Sequence, residues 1–149
     1  MDIRVQQAPF DAGAELQAFT DRQINAGAVV SFTGIVRDDT GDLKALSIEH
    51  YPAMTHAALT KQAEDAKQRF GLSDVMVIHR HGDLPVGDVI MMVATASRHR
   101  KAAFQGADFL MDYLKSRAPF WKKEITHSGE SWVSAKDRDE DALAMWHQT

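Results

Sequence analysis

Segments in which apolar residues alternate with a period of two are interleaved along this chain with segments of helical period. The strand-like segments are residues 3–5, 28–37, 43–51, 75–80, 89–96 and 120–126. Three segments of helical spacing separate them, at about 11–26, 55–70 and 98–117. Because several of the strands are joined by loops of hairpin length, this order predicts an α+β or mixed α/β layer structure.

Two of the connections contain residues that favour tight turns. The polar residues 38–42 join two strand segments and predict that these pair as a hairpin. Residues 82–87, rich in Gly and Pro, join the segments 75–80 and 89–96. Gly34 lies inside a strand segment and predicts a bulge or a close backbone approach. Pro119 cannot continue a helix, so the chain must turn there into the segment 120–126.

The length and the composition fit one domain covering residues 1–149. An apolar content of 44% supplies a core of ordinary size. From about residue 137 the chain is charged and contains Trp146, and both a docked helix and a mobile end are compatible with that composition. No apolar run approaches the roughly 18 residues of a membrane span, and no apolar signal segment precedes the first strand. We therefore expect a cytoplasmic protein that does not enter a membrane.

Charge and cysteine content narrow the possible functions. The net charge of -4 argues against a general nucleic-acid binder, which needs a broad basic face. The absence of cysteine excludes a thiolate nucleophile and any Cys-rich metal site, so sulfur chemistry would need sulfur brought by a partner. His79 and His81 lie on one strand face, but without a third ligand a solvated strand end is the favoured interpretation. We therefore expect no metal and no cofactor.

A cationic cluster surrounds Pro119 and forms a local positive field that suits an anionic ligand. Its members are Lys115, Arg117, Lys122 and Lys123. Two crowded lysines disfavour each other's protonated state, which makes a neutral amine accessible near neutral pH. The alternative is a solvated helix end followed by an ordinary strand edge. The spacing alone favours this second interpretation.

Further cations are suited to binding phosphate. His99 and Arg100 open the helical segment 98–117, where exposed backbone N–H groups and cationic side chains together form an anion site. The alternative is that these side chains face solvent. Arg37, at the end of a strand, is suited to a bidentate contact with a carboxylate or phosphate. Alone, it would more often form an ion pair within the acidic loop 38–42.

Four blocks of the sequence resemble the large, catalytic subunits of molybdopterin synthase. They are residues 30–37 (VSFTGIVR), 46–54 (LSIEHYPAM), 77–82 (VIHRHG) and 111–124 (MDYLKSRAPFWKKE). They follow one another in the order expected for that family, and the last block is long and chemically unusual. The resemblance implies an α/β hammerhead-like core with a small antiparallel β subdomain.

The resemblance also implies an activity and partners. The family converts cyclic pyranopterin monophosphate to molybdopterin, in the biosynthesis of the molybdenum cofactor. Two sulfurs are transferred from the C-terminal thiocarboxylate of a small ubiquitin-like partner subunit, which fits the absence of cysteine. The large subunits form a central homodimer with a small subunit at each end, giving a heterotetramer.

Matched by motif, Lys115 and Lys122 correspond to the family's two active-site lysines. The resemblance implies that Lys115 is the principal catalytic group, as a base or as the amine that engages the thiocarboxylate carbon. Lys122 would stabilise developing negative charge or assist proton transfer. Arg37, His99 and Arg100 match the pocket that holds the phosphate and the pterin.

One site position departs from the family pattern. The arginine that the dimer mate contributes to the family's active site falls on Lys136 in this sequence. Lysine keeps the positive charge but loses the bidentate geometry of arginine. Arg138, which lies nearby, is the alternative for that role.

Two functions of other classes remain to be separated from sulfur transfer. One is a non-catalytic module that holds the extended tail of a ubiquitin-like protein through backbone pairing. The other is an enzyme that acts on a phosphorylated heterocycle without a sulfur-carrying partner. The pairing of Lys115 with Lys122, together with the separate phosphate-suited residues, favours sulfur transfer over both.

Overall fold

The computed structural model describes residues 1–133 and 137–146, except for the side chains of residues 137 and 138. Within these residues the chain forms eight strands and four helices. In chain order they are β1 (Asp2–Gln6), α1 (Ala12–Asp21), β2 (Ala28–Ile35), β3 (Leu43–His50), α2 (Pro52–Phe70), β4 (Asp74–Arg80), β5 (Gly82–Pro85), β6 (Val89–Ser97), α3 (Arg100–Ser116), β7 (Phe120–Thr126), β8 (Gly129–Val133) and α4 (Asp137–Met145). None of the helices described is long and apolar enough to cross a membrane.

The first sheet has the order β1-β4-β6-β2 and carries helices on both faces. Its central strand β4 alternates between them, because successive side chains of a strand point to opposite faces. Val75 and Val77 pack with α2 and α3, whereas Met76 and Ile78 pack around Phe19 of α1. Both sets are almost fully buried. The near-continuous apolar run of β4 therefore follows from its position between two layers.

The second sheet has the order β5-β3-β7-β8 and is antiparallel throughout. A small core of Val36, Ile48 and Leu84 lies against it. Phe120 and Ile90 pack against this core as well as against the main core, so they join the two sheets. The mixed α+β class predicted from the sequence is thereby confirmed.

The predicted hairpin between residues 28–37 and 43–51 is wrong. β2 pairs with β6 in the first sheet, and β3 pairs with β5 and β7 in the second. The acidic loop 38–42 thus carries the chain from one sheet to the other, and turn-forming residues alone do not distinguish the two outcomes. β5 lies in the predicted loop 82–87. The predicted bulge is confirmed by the register shift between Gly34 and Ile35.

The helix α4 packs against α3. The indole N–H of Trp146, which follows α4, donates a hydrogen bond to the Asp112 carboxylate at 2.6 Å. The indole ring also makes edge contacts with Phe70 and Phe109. Since Asp112 lies one turn before the end of α3, the end of the described chain lies close to the cationic segment that follows this helix.

Candidate functional site

Lys122 points toward the interior of the protein. The register pairs it with Ile48 of β3 and with Val133 of β8. Directly opposed residues of a sheet project from the same face, so Lys122 shares the face of Ile48, whose side chain is almost completely buried. The chain reverses at Pro119, and the point at which β7 then begins determines which of its side chains point inward.

The neighbouring Lys123 projects from the other face of β7. Its ammonium lies 3.2 Å from a carboxylate oxygen of Glu130 and 5.1 Å from the ring centroid of Trp132. Both partners are exposed residues of β8. Lys123 is therefore part of a surface ion pair. The two neighbouring lysines of β7 thus differ, since Lys122 points inward and Lys123 points to the surface.

Lys115 and Lys122 form the cationic pair that the sequence predicted. Burial is the main cause that lowers the pKa of Lys122 to about 8, and the positive charge of Lys115 contributes to this lowering against a smaller opposing effect of Asp139. Lys115 itself is exposed at the end of α3. A buried amine near the midpoint of its titration is suited to proton transfer at neutral pH.

Three histidines lie beside this lysine pair. The ring of His79 stacks on Phe120 with centroids 3.9 Å apart, and the rings of His50 and His81 are 4.4 Å apart. Burial lowers the pKa of His79, to which the charges of Lys122 and Lys115 add a further lowering. Sequence reasoning paired His79 only with His81, because nothing local relates position 50 to them. Among the side chains that the structure describes, no three His, Asp or Glu residues are grouped as metal ligands.

Arg37 lies at the same end of the molecule as the lysines. The preceding residue, Val36, packs in the small core with Ile48, which is the cross-strand partner of Lys122. The guanidinium is largely exposed and forms an ion pair with Asp39 at 2.7 Å. Arg37 therefore forms the ion pair within the loop that the sequence had left open. An anionic ligand that bound Arg37 would have to replace Asp39 as its partner.

His99 and Arg100 lie at the opposite end of α3. His99 is the residue before the helix, and together with Arg100 it lines an open cleft completed by Lys101, Phe104 and Gln105. The helix rises about 1.5 Å per residue, which puts Arg100 roughly 22 Å from Lys115 along the axis. Within one chain, the lysine pair and the residues His99 and Arg100 are therefore far apart.

Gly27 fixes the backbone before this cleft. Its N–H donates to the carbonyl of Ser97 at 3.0 Å, and a Cβ at this position would lie 2.5 Å from the carbonyl oxygen of Arg98. Only glycine allows so close an approach. The sequence shows a glycine directly before a strand, which is compatible with a close backbone contact. It does not show that the contact is with the carbonyl of Arg98.

Lys136 lies outside the described residues. The side chain of Arg138 lies outside them as well. The prediction that one of these two residues completes a site in a second copy of the chain therefore stays a prediction.

The titration of Lys122 can be measured without any substrate. We expect competitive acylation, followed by mass spectrometry, to give a labelling midpoint near pH 8 for Lys122. In the variant Lys115→Ala this midpoint should move to higher pH, because removal of a neighbouring positive charge favours the ammonium form. The surface variant Lys61→Ala should leave it unchanged. A wild-type midpoint near that of an ordinary lysine, about 10.4, would contradict the burial of this amine.

Comparison with known proteins gives the chain close relatives. The family model described as MoaE protein matches residues 5–117. A protein of Cereibacter sphaeroides named molybdopterin synthase catalytic subunit is 58% identical over 146 residues, covering 98% of this chain and 100% of the relative. A protein of the same name from Pseudomonas aeruginosa is 48% identical over 150 residues, covering 99% of this chain and 100% of the relative.

Solved structures of proteins from molybdopterin biosynthesis are similar to this chain as well. The molybdopterin biosynthesis MoaE protein from Burkholderia ambifaria matches with a TM-score of 0.84 and 47% identity, over 98% of this chain and 97% of that one. A complex of subunits 1 and 2 of molybdopterin-converting factor from Helicobacter pylori contains a chain that matches with a TM-score of 0.75 and 26% identity, over 91% of each chain.

Proposed function

Because this chain belongs to the MoaE protein family, we propose that it is the catalytic subunit of a cytoplasmic molybdopterin synthase, an enzyme that transfers sulfur to cyclic pyranopterin monophosphate. The sulfur donor is the C-terminal thiocarboxylate of a small ubiquitin-like subunit. The observation that carries the proposal is the buried Lys122 amine beside the exposed Lys115. The H. pylori complex supports a partner subunit for proteins of this fold.

Each transfer replaces sulfur by oxygen on the partner's terminal carbon. The thiocarboxylate sulfur bonds to a substrate carbon and displaces an oxygen substituent, which leaves with the electron pair of its carbon–oxygen bond. Water then cleaves the partner's carbon–sulfur bond. The products of that cleavage are the partner's carboxylate, a thiolate on the substrate and two protons. A base is therefore needed at the site, and a cation is needed to hold the anionic thiocarboxylate.

We divide these two tasks between the lysines. Lys115 engages the thiocarboxylate from its exposed position at the end of α3. Lys122 takes up the proton, because its lowered pKa leaves a substantial neutral fraction near pH 8. The sequence prediction made Lys115 the base or the amine that engages the thiocarboxylate carbon, and it let Lys122 stabilise negative charge or assist proton transfer. The present division makes Lys122 the base and leaves Lys115 the cation.

The phosphate of the substrate requires a second copy of the chain. Arg37 lies at the lysine end, whereas His99 and Arg100 lie about 22 Å away along α3. A small substrate that contacted all of these residues within one chain would have to extend along most of the helix. We propose instead that two chains form a homodimer in which the cleft of one copy, with His99 and Arg100, faces the lysine end of the other. One small subunit at each lysine end then gives a heterotetramer.

Reconstitution tests the proposed function. The chain is mixed with cyclic pyranopterin monophosphate and the thiocarboxylated small subunit, and the dithiolene product is measured. We expect product with the thiocarboxylated partner and none with the same partner ending in an ordinary carboxylate. Tight binding of the partner without any product would contradict the proposal and favour a non-catalytic module for a ubiquitin-like tail.

A further inference from the structure

The outer edge of strand β2 is open to solvent. β2 ends the order β1-β4-β6-β2 of the first sheet and pairs with β6 on one side only. At its middle, Ser31, Phe32 and Thr33 are all exposed. Because successive side chains of a strand point to opposite faces, three exposed residues in a row show that neither face is covered beside this edge. The register with β6 is regular from Ala28 to Gly34, so the edge has an ordinary strand backbone.

The opposite edge of the same sheet is protected, whereas that of β2 is not. In β1, Asp2 and Arg4 form an ion pair at 3.1 Å, and the ring of His56 bonds to the carbonyl of Ile3 at 3.0 Å. Charged side chains and covering groups are the usual protection of an edge against pairing with another chain. β2, with the sequence AVVSFTGI, contains neither a charged residue nor proline. Its edge is therefore suited to pairing with a further strand.

The two ends of β2 carry the two halves of the divided site. At its start, the N–H of Gly27 bonds to the carbonyl of Ser97, two residues before His99. At its end, the chain continues to Arg37, at the same end of the molecule as the lysines. The eight residues of β2 span roughly 26 Å, close to the roughly 22 Å by which α3 separates the two groups. A second β2 running antiparallel beside the first would bring the start of one to the end of the other.

The charges at the two ends of β2 are complementary. Residues 98–101 (RHRK), beside its start, are cationic, and the loop 38–42 (DDTGD), beyond its end, is acidic. In an antiparallel pair of β2 strands, the cationic segment of each copy meets the acidic loop of the other, and the contact occurs twice about the two-fold axis. A parallel pair would place like charges side by side. Charge therefore favours a second, antiparallel copy of this chain as the occupant of the edge.

We propose that two copies of the chain pair through the outer edges of their β2 strands, antiparallel and with Phe32 at the two-fold axis. The two four-stranded sheets then form one sheet of eight strands. The inference rests on the proposed function and deepens it, because it names the surface that brings His99 and Arg100 of one copy to the lysine end of the other.

The register about Phe32 follows from the side chains along the edge. It places Ser31 opposite Thr33 of the other copy, and it places the exposed Ile35 opposite the apolar Val29. Directly opposed residues of an antiparallel pair contact each other on one face of the sheet. The two exposed apolar residues of β2, Phe32 and Ile35, thus both gain apolar partners in this register.

Cross-linking tests the pairing without any substrate. Because the chain contains no cysteine, an introduced one reports its own neighbours. Directly opposed Cβ atoms lie about 4.5–5.5 Å apart, so Phe32→Cys should give a covalent dimer on oxidation or with a short bis-maleimide. A mixture of Ser31→Cys and Thr33→Cys should cross-link as a heterodimer. The matched control is Ser131→Cys, an exposed position on β8, the edge strand of the second sheet, which should stay uncross-linked.

A charge exchange at the axis tests the dimer itself. Phe32→Lys and Phe32→Glu each place like charges opposite each other, which destabilises a strand pair. Each variant alone should raise the Kd of the dimer at least about tenfold in native mass spectrometry and lose product formation. An equal mixture of the two should restore both the dimer and the product. Thermal unfolding checks that the variants fold, and the cysteine variants at the exposed Ser31 and Thr33 test the pairing if they do not.

The outcomes separate this interface from the proposed function. A dimer in which Phe32→Cys and the mixture of Ser31→Cys with Thr33→Cys stay uncross-linked would overturn the proposal, as would product formation by a monomeric Phe32→Lys. Cross-linking of Phe32→Cys to the small subunit instead of a second copy would also overturn it, because the edge would then take the partner. If the dimer cross-links through Phe32→Cys but the wild type forms no product, the proposed function fails and the interface stands.

Discussion

Replacement of Lys115 by alanine is expected to lower molybdopterin formation by about 10³-fold, because in the proposed function Lys115 is the cation that engages the thiocarboxylate. The same change raises the pKa of Lys122 and so reduces the neutral fraction of the base. Single-turnover formation of the dithiolene product measures the effect. The variant Lys115→Arg keeps the charge without a readily neutralised amine, so its activity separates charge stabilisation from an amine role.

The matched control for this loss is Lys123→Ala. Lys123 belongs to the same cationic segment but projects from the opposite face of β7 toward Glu130. A surface ion pair of this kind contributes at most about 1 kcal/mol to stability, so the variant should remain folded and active. Full activity in Lys115→Ala would remove Lys115 from the proposed chemistry, whatever the behaviour of Lys123.

Mixed dimers are expected to recover activity from two inactive variants. The first variant is Lys115→Ala, and the second combines His99→Ala with Arg100→Ala. If the site is shared between two copies, a heterodimer of these variants contains one intact site and one doubly altered site. Random mixing of equal amounts makes half of the dimers heterodimers, so about a quarter of wild-type activity should return.

A second mixture provides the control for this recovery. Lys115→Ala combined with Lys122→Ala should remain inactive, because both lysines lie at the same end of one chain and every site in the heterodimer lacks one of them. Native mass spectrometry verifies that heterodimers have formed. Heterodimers of the first mixture that stay inactive would show that His99 and Arg100 do not complete the site of the other copy.

Local patterns predicted the fold class and most of its elements. The period-two segments identify six of the eight strands described, and the helical segments identify α1, α2 and α3, with ends within about five residues. The short strands β5 and β8 were not predicted. The partners of each strand could not be predicted, as the hairpin assigned to β2 and β3 illustrates. Loop 38–42 has the composition of a tight turn, and only the pairing of β3 with β5 and β7 shows that it links two sheets.

The geometry around the candidate site could be predicted only in part, because it too depends on which strands pair. The segment around Pro119 indicates a cationic reversal, and the family motif singles out Lys115 and Lys122 within it. The sequence does not indicate that Lys122 is the buried member of the pair, because burial depends on Ile48 in a distant strand. It also cannot relate His50 to His81, whose rings lie 4.4 Å apart in the fold although many residues separate them in the chain.

If the site is divided between two copies of the chain, the length of helix α3 sets the distance between its two halves. Its residues between Arg100 and Lys115 set the spacing of a phosphate-binding end and a sulfur-accepting end. Inserting a single residue there would lengthen the spacer by about 1.5 Å and rotate one end against the other by roughly 100°. Substitutions within α3 leave this spacing intact, whereas insertions and deletions change it. Within the family, differences in chain length should therefore accumulate in loops such as 38–42 and leave the length of this helix unchanged.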